Sequence, residues 1–194
     1  EKVNKNSLNR KQIIEMSLKI AQLFMRIYTM PKVIIALVEG PALAGGLGIV
    51  CCSDFVIGTR STKFALSEIR VGLSPAQIAP YVIERIGIQK AKILMLSAEP
   101  IDGAKAHKYG FIDYLAFDQQ DLEIKFTSLK NTLKNCAPMA TATTKEILLS
   151  HGQIEQPKRT AFLANKFADC MTSNESQEGL QAFLEKRKPK WAKL

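Results

Sequence analysis

Two stretches carry residue types that could do chemistry together. The first is Gly45-Gly46, inside the small-residue run from Ala42 to Gly48. It follows the apolar, β-branched run Val33–Val38, bounded by Pro31 and Gly40. That run reads as a buried strand, and Gly40-Pro41 stops it. A strand that leads through a glycine-rich bend into a short helix leaves backbone N–H groups free. The first turn of a helix has unpaired donors and partial positive charge, and glycine lets a ligand oxygen come close to the backbone. The second stretch holds Glu68, flanked by Leu66 and Ile69 directly after Lys63–Leu66. Apolar company implies partial burial, which raises a carboxyl pKa toward the range useful for general acid–base work. A backbone that stabilises an anion and an acid in apolar surroundings are the parts needed to handle an enolate. The plainer readings stand beside this one: a lone Gly-Gly is a packing feature at roughly three to one, and most glutamates lie on the surface.

These groups need elements to hold them. The spacing predicts a helix over Ser7–Tyr28, with Ile13, Ser17, Ile20, Phe24 and Ile27 on one stripe and Ser7 as N-cap, after a frayed polar start at residues 1–6. The strand Val33–Val38 follows. Phe55–Ile57 and Lys63–Leu66 read as a β pair. Helices are expected over Pro75–Ile86 and Gln89–Ser97, with Gly87 as the break. Asp102 can cap a helix that runs through Lys108 and ends at Gly110, and Phe111–Leu115 reads as a short strand. Beyond it the pattern turns helical, at about 119–135, 138–150, 157–171 and 175–186. With no flexible linker or repeat, the second half reads as a helical continuation of an α/β first half.

Composition narrows the function classes. The chain has 194 residues, 46% hydrophobic and 23% charged, which is ordinary for one globular domain with a real core. A net charge of +9 admits nucleic acid, an anionic ligand or plain solubility. The basic residues are scattered, apart from Lys186-Arg187-Lys188-Pro189-Lys190, and no nucleic-acid motif surrounds that patch. The four cysteines have no metal-ligand spacing, so no metal is expected; Cys51-Cys52 read as core thiols in a reducing compartment. His107 and His151 lack a local acid or metal partner and read as structural or solvent-facing. No uninterrupted apolar run is long enough for a membrane span, and no signal peptide is visible.

The segments PKVIIALVEGPALAGGLGIVCCSD, KFALSEIRVGLSPAQIAPYVIERIG, LSAEPIDGAKAHKYGFID and EGLQAFLEKRKPKW occur in that order from Pro31 to the C-terminal region. In this ordered set the chain resembles the enoyl-CoA hydratase/isomerase (crotonase) family, and its LSEIRVGLSPAQIAPYV variant is most similar to 3-methylglutaconyl-CoA hydratase-like members. The resemblance implies an α/β fold, a crotonase-like ββα spiral core with a helical C-terminal region. Residues 1–115 would be the later part of that core, with further strands expected upstream of Glu1, and 116–194 a helical region for trimerisation and the CoA site. It implies that Gly45 N–H binds the thioester oxygen, with a second donor upstream of Glu1, and that Glu68 moves a proton at the carbon next to the thioester carbonyl. Ala44, Gly46, Gly48, Leu73 and Pro75 would line the acyl pocket, with Ser74 and Gln77 as its polar candidates. Phe183 and Lys186 would meet the adenine and phosphates of CoA, often from a neighbouring subunit.

Gly48 departs from the pattern. Two-glutamate hydratases have a water-activating carboxylate there, whereas isomerases of the family manage with one glutamate. Hydration of an α,β-unsaturated acyl-CoA is the first expectation, isomerisation the alternative, and a non-catalytic CoA- or RNA-binding relative a further one. No resident cofactor is implied, since CoA is part of the substrate. Expected partners are the acyl-CoA thioester and further copies in a homotrimer or dimer of trimers; neither membrane nor nucleic acid is expected. The location would be cytoplasmic in a bacterium or the mitochondrial matrix in a eukaryote.

Overall fold

The structure is a computed structural model and describes residues 9–193. The chain falls into two compact units. The first takes the residues through Tyr28 together with Ile35–Asp118; the second takes Thr29–Ile34 and Gln119 onward. The sequence places its division at 115/116 and does not foresee that Thr29–Ile34 joins the helical unit.

In the first unit, helix α1 spans Arg10–Tyr28. Asn9 begins it: the Gln12 N–H donates to Asn9 Oδ1 at 3.0 Å and the Asn9 N–H to Gln12 Oε1 at 2.8 Å. This reciprocal pair satisfies two donors at the helix start. The expected cap Ser7 lies outside the described residues, as does the frayed start at 1–6. Of the expected stripe, Phe24 is buried and Ser17 and Ile27 are half-buried, while Ile13 and Ile20 remain exposed.

Among the described residues six strands form two small sheets. In one, β1 (Ile35–Val38), β3 (Phe55–Thr59) and β6 (Tyr114–Ala116) run parallel, with β3 in the middle. In the other, β4 (Lys63–Ala65) lies between parallel β2 (Ala42–Leu43) and antiparallel β5 (Ile101–Asp102). The expected pairing of Phe55–Ile57 with Lys63–Leu66 does not form: consecutive strands β3 and β4 go to different sheets. The cause lies in the turn between them. Thr62 N–H donates to the Thr59 carbonyl at 3.2 Å, and Thr62 Oγ1, fully buried, donates to the Val38 carbonyl at 2.8 Å. Strand β3 is apolar on both faces, with four of five residues buried, which suits the centre of a parallel sheet rather than one arm of a hairpin. Gly58 allows the Ile112 side chain to close on it; a Cβ there would lie 2.6 Å from Ile112 Cδ1.

Helices α2 (Gly45–Cys51), α3 (Ala79–Ile86), α4 (Ile88–Ser97) and α5 (Gly103–Tyr109) complete this unit. Gly87 separates α3 from α4 with φ 78°, Asp102 Oδ1 caps α5 by accepting from the Lys105 N–H at 2.8 Å, and Gly110 ends it with φ 98°. The core includes Phe24, Leu47, Val56, Phe64, Val82, Leu94 and Phe111, with the Phe64 and Phe111 rings stacked at 5.7 Å. Arg85 of α3 ties the surrounding loops together. Its guanidinium donates to the carbonyls of Phe111 (2.9 Å) and Ser53 (3.0 Å) and to Asp113 Oδ2 (2.6 Å), which also accepts from the Val56 N–H at 2.7 Å.

The second unit contains α6 (Gln119–Leu133), α7 (Pro138–Leu149), α8 (Gln156–Met171) and α9 (Asn174–Leu184), close to the four helices the sequence predicts. Glu175 caps α7, its two oxygens accepting from the Met139 and Ala140 N–H groups at 2.9 Å each. Ser173 Oγ caps α9 by accepting from the Ser176 N–H at 3.0 Å. Buried Lys145 donates to the Lys32 carbonyl at 3.2 Å, which holds the Thr29–Ile34 segment within this unit.

Candidate active site

The two stretches singled out for chemistry leave the same small sheet side by side. Ala42 pairs with Phe64 and Leu43 with Ala65; one residue further, the Ala44 N–H donates to the Ala65 carbonyl at 3.0 Å. From that point one chain bends into α2 and the other runs on to Glu68.

Ala44 makes the bend. Its φ of 46° and ψ of −122° put a non-glycine residue in left-handed territory, a strain of roughly 1–3 kcal/mol. No side chain caps α2, and the first bond of the turn is from the Gly48 N–H to the Ala44 carbonyl at 3.1 Å. The N–H groups of Gly45, Gly46 and Leu47 come before that bond and have no carbonyl four residues back to meet. A Cβ added to Gly45 or Gly46 would meet nothing within 4 Å. These glycines therefore border open space, which argues against a packing role and leaves their backbone approachable.

Glu68 opens a short 3₁₀ helix, Glu68–Val71, rather than simply trailing the strand. Its end is locked: the Leu73 N–H donates to the Glu68 carbonyl at 3.0 Å, the Gly72 N–H to that of Ile69 at 3.2 Å, and Gly72 takes φ 76°. Arg70 anchors the same turn by donating to the Ala98 carbonyl at 2.7 Å. Glu68 Oε2 is buried and, among the described residues, is the only buried side-chain oxygen or nitrogen without a hydrogen-bond partner. An unsatisfied buried polar atom costs about 1–3 kcal/mol, more when charged. A carboxylate kept in this condition by a braced backbone is one that waits for a partner.

Gly48 is not a free position on the pocket wall. It is buried, and a Cβ there would fall on the Ile78 Cγ2 methyl and lie 2.9 Å from Phe24 Cζ. A carboxylate placed here to hold a water, as in two-glutamate hydratases, would meet a face of the helix sealed by α1 and the segment before α3. Of the loop expected to border the acyl group, Leu73 is exposed, and Pro75 is buried and starts the next turn, its carbonyl accepting from the Ile78 and Ala79 N–H groups at 3.1 and 3.0 Å. Ser74 is exposed, whereas Gln77 donates to Ser17 Oγ at 2.8 Å and is engaged with α1.

His107 Nδ1 lies 2.8 Å from the Ile112 carbonyl, a structural placement, and His151 is exposed. Cys51 and Cys52 are buried in α2 and at its end, where burial pushes both thiols up to about 12. Phe183 and Lys186 belong to the second unit, both with exposed side chains. Among the described residues no group of three His, Cys, Asp or Glu side chains could hold a metal ion, and no helix is long and apolar enough to cross a membrane.

Sequence reasoning singles out Gly45 and Glu68 but misses the contacts that brace the turn at Glu68. Arg70 stands two residues past Glu68, and its charge on a loop was the available signal. Nothing local marks the strain at Ala44, because alanine gives no hint of a positive φ.

Comparison with known proteins bears on the family and the fold. The family model described as enoyl-CoA hydratase/isomerase matches residues 2–193. An enoyl-CoA hydratase/isomerase from Marinobacter aquaeolei superposes with a TM-score of 0.92 at 34% identity, over 98% of this chain and 72% of that one. AtuE of Pseudomonas aeruginosa superposes equally well, with a TM-score of 0.92 at 35% identity, over 95% of this chain and 71% of the other. A protein of Thermus thermophilus that carries a provisional enoyl-CoA hydratase name is 32% identical over 177 residues, which make up 90% of this chain and 69% of that protein. The chain spans between 57 and 69% of the length of the curated relatives it matches. With the crotonase fold shared at this level and the family's pattern running almost from end to end, the chain belongs to the enoyl-CoA hydratase/isomerase family.

Proposed function

We propose that this protein adds water to the double bond of an α,β-unsaturated acyl-CoA thioester, with a branched, 3-methylglutaconyl-type acyl group as the finer assignment. The Gly45 N–H takes the thioester oxygen as negative charge gathers on it. A preorganised donor of this kind contributes about 2.7–4 kcal/mol to the transition state. Glu68 carries the proton at the carbon next to the carbonyl. The observation that carries the reading is the buried, unpartnered Glu68 Oε2 in a braced turn, just beyond the strand that pairs with the start of the open glycine bend.

The sealed face at Gly48 favours a second reading, a double-bond shift run by Glu68 alone. Such a shift removes a proton at one carbon and returns one at another, and needs no held water. The CoA portion supplies no separate cofactor chemistry, because it is part of the substrate. Its nucleotide end is assigned to Phe183 and Lys186 of the helical unit. The exposed Phe167, Phe183 and Leu184 support association of copies, as a homotrimer or dimer of trimers.

Glu68→Gln tests the core of this reading. It should lower turnover of an enoyl-CoA by about a hundredfold or more while CoA affinity and the circular dichroism spectrum stay unchanged. Retention of more than about a tenth of the wild-type rate would remove Glu68 as the proton carrier. Running the reaction in H₂¹⁸O separates the two readings, since only hydration puts the label into product.

A further inference from the structure

The basic run Lys186–Lys190 is folded, and the fold sorts its charges. Arg187 is turned inward: Nη1 and Nη2 donate to the two oxygens of Glu178 at 2.7 and 3.2 Å, and Nε to Glu185 at 2.5 Å. Glu178 Oε1 also accepts from the Lys190 N–H at 3.0 Å, and Lys190 Nζ stands 3.6 Å from Oε2. Beyond Lys190, Trp191 lies against Gly179, where a Cβ would come within 3.1 Å of the ring, and its indole N–H donates to the Asn135 carbonyl at 3.2 Å. Lys186 and Lys188 remain, exposed and without an ion pair among the described residues.

The backbone at Lys186 adds a second observation. The Arg187 N–H donates to the Ala182 carbonyl at 3.0 Å and the Lys186 N–H to that of Phe183 at 3.2 Å. The same paired pattern closes the turn at Gly72 and helix α5 at Gly110, with glycine at the left-handed position both times. At the end of α9 that position is held by Lys186, φ 53°. Glycine is the unstrained choice there. A lysine kept in this conformation needs a partner that fixes the residue after it, and Arg187 has one in Glu178.

We infer that Glu178 and Arg187 are positioning residues: their carboxylate–guanidinium fork holds the turn after α9 so that Lys186 and Lys188 face outward as a fixed pair of cations for the phosphates of the CoA nucleotide. This rests on the enoyl-CoA reading above and assigns no new ligand to it. Two ammonium groups carried on one held backbone turn favour a polyphosphate over a single carboxylate, because each adds its own charge-assisted bond.

The test is affinity of the full chain for CoA and for pantetheine, which lacks the nucleotide, by titration calorimetry. Lys186→Ala should weaken CoA binding about fivefold and leave pantetheine binding unchanged. Glu178→Gln should produce a selective loss of the same kind, and it should add nothing further in the Lys186→Ala/Lys188→Ala double variant, since the fork acts only through those two lysines. Arg187→Lys keeps the charge but cannot span both oxygens, and it supplies the same comparison if Glu178→Gln does not fold. No selective effect of Lys186→Ala would sink the nucleotide assignment itself. A selective effect of Lys186→Ala with none from the folded Glu178 or Arg187 variants, or a further loss when Glu178→Gln is added to the double variant, would overturn the positioning role.

Discussion

The two units handle apolar side chains in opposite ways. In the first, Phe64 and Phe111 are 0% exposed and stack on each other inside a continuous core. In the second, Phe167 is 68% exposed and Phe183 80%. Each also uses an arginine fork, but to different ends. Arg85 gathers two backbone carbonyls and Asp113 around β3, whereas Arg187 gathers two carboxylates at the surface end of α9. The difference teaches that the first unit is built to keep a strained bend and an unsatisfied carboxylate in place. Both features raise its free energy, and a closed core offsets them. The second unit keeps its own strained residue, Lys186 with φ 53°, at the surface end of α9, and presents its apolar rings outward instead.

The comparison is broken most directly at Gly48. Gly48→Glu forces a charged side chain against Ile78 and Phe24, and should cost about 3–5 kcal/mol as an uncompensated buried charge. Thermal unfolding and circular dichroism would register it as loss of the native fold. If the variant folded normally and hydrated crotonyl-CoA faster than wild type, the sealed-face description would be wrong and the missing carboxylate would be the better account of this position.

A paired substitution sharpens the contrast. Phe64→Ala should destabilise by about 3–5 kcal/mol through the cavity it leaves. Phe167→Ala should lie within about 0.5 kcal/mol in dilute protein. Denaturant melts of both variants measure the ratio, and similar losses would show that the exposed ring is covered in solution.

The smallest effect concerns acid. The Arg187 hydrogen bond holds the Glu178 carboxyl well below its ordinary 4.5, down to about 2. A group whose folded pKa is lowered stabilises above its unfolded value and loses that contribution as pH falls through the folded one. The fork therefore stays intact from neutral pH to about 4.5 and weakens between there and about 2. Trp191, the chain's only tryptophan, packs beside Glu178 at Gly179, so its fluorescence should change only in that lower window. A transition centred above pH 5 would contradict the fork as described.

Much of the fold was legible where the cause is local. Asp102 and Gly110 bracket α5 as their side chain and backbone freedom demand, and helices α6 to α9 follow from periodicity and breaks. The strand partners were not legible. A short link between Phe55–Ile57 and Lys63–Leu66 invites a hairpin, and what prevents one is a threonine hydroxyl reaching a carbonyl 24 positions back. In the site, Glu68 and Gly45 stand out by their neighbours in sequence. The seal over Gly48 involves Phe24 and Ile78, distant in the chain on either side, and could be read only from packing.

Buried Cys51 and Cys52 also have a practical consequence. Their thiols are held protonated by desolvation, while Cys136 is exposed and Cys170 partly so. An alkylating reagent attacks the thiolate and must reach it, so a brief pulse on native protein would label the helical unit and spare the adjacent pair. Label on Cys51 and Cys52 would then count molecules whose α/β unit has opened. The chain thus carries its own recorder of how often the α/β unit lets go, readable by mass spectrometry without adding a probe.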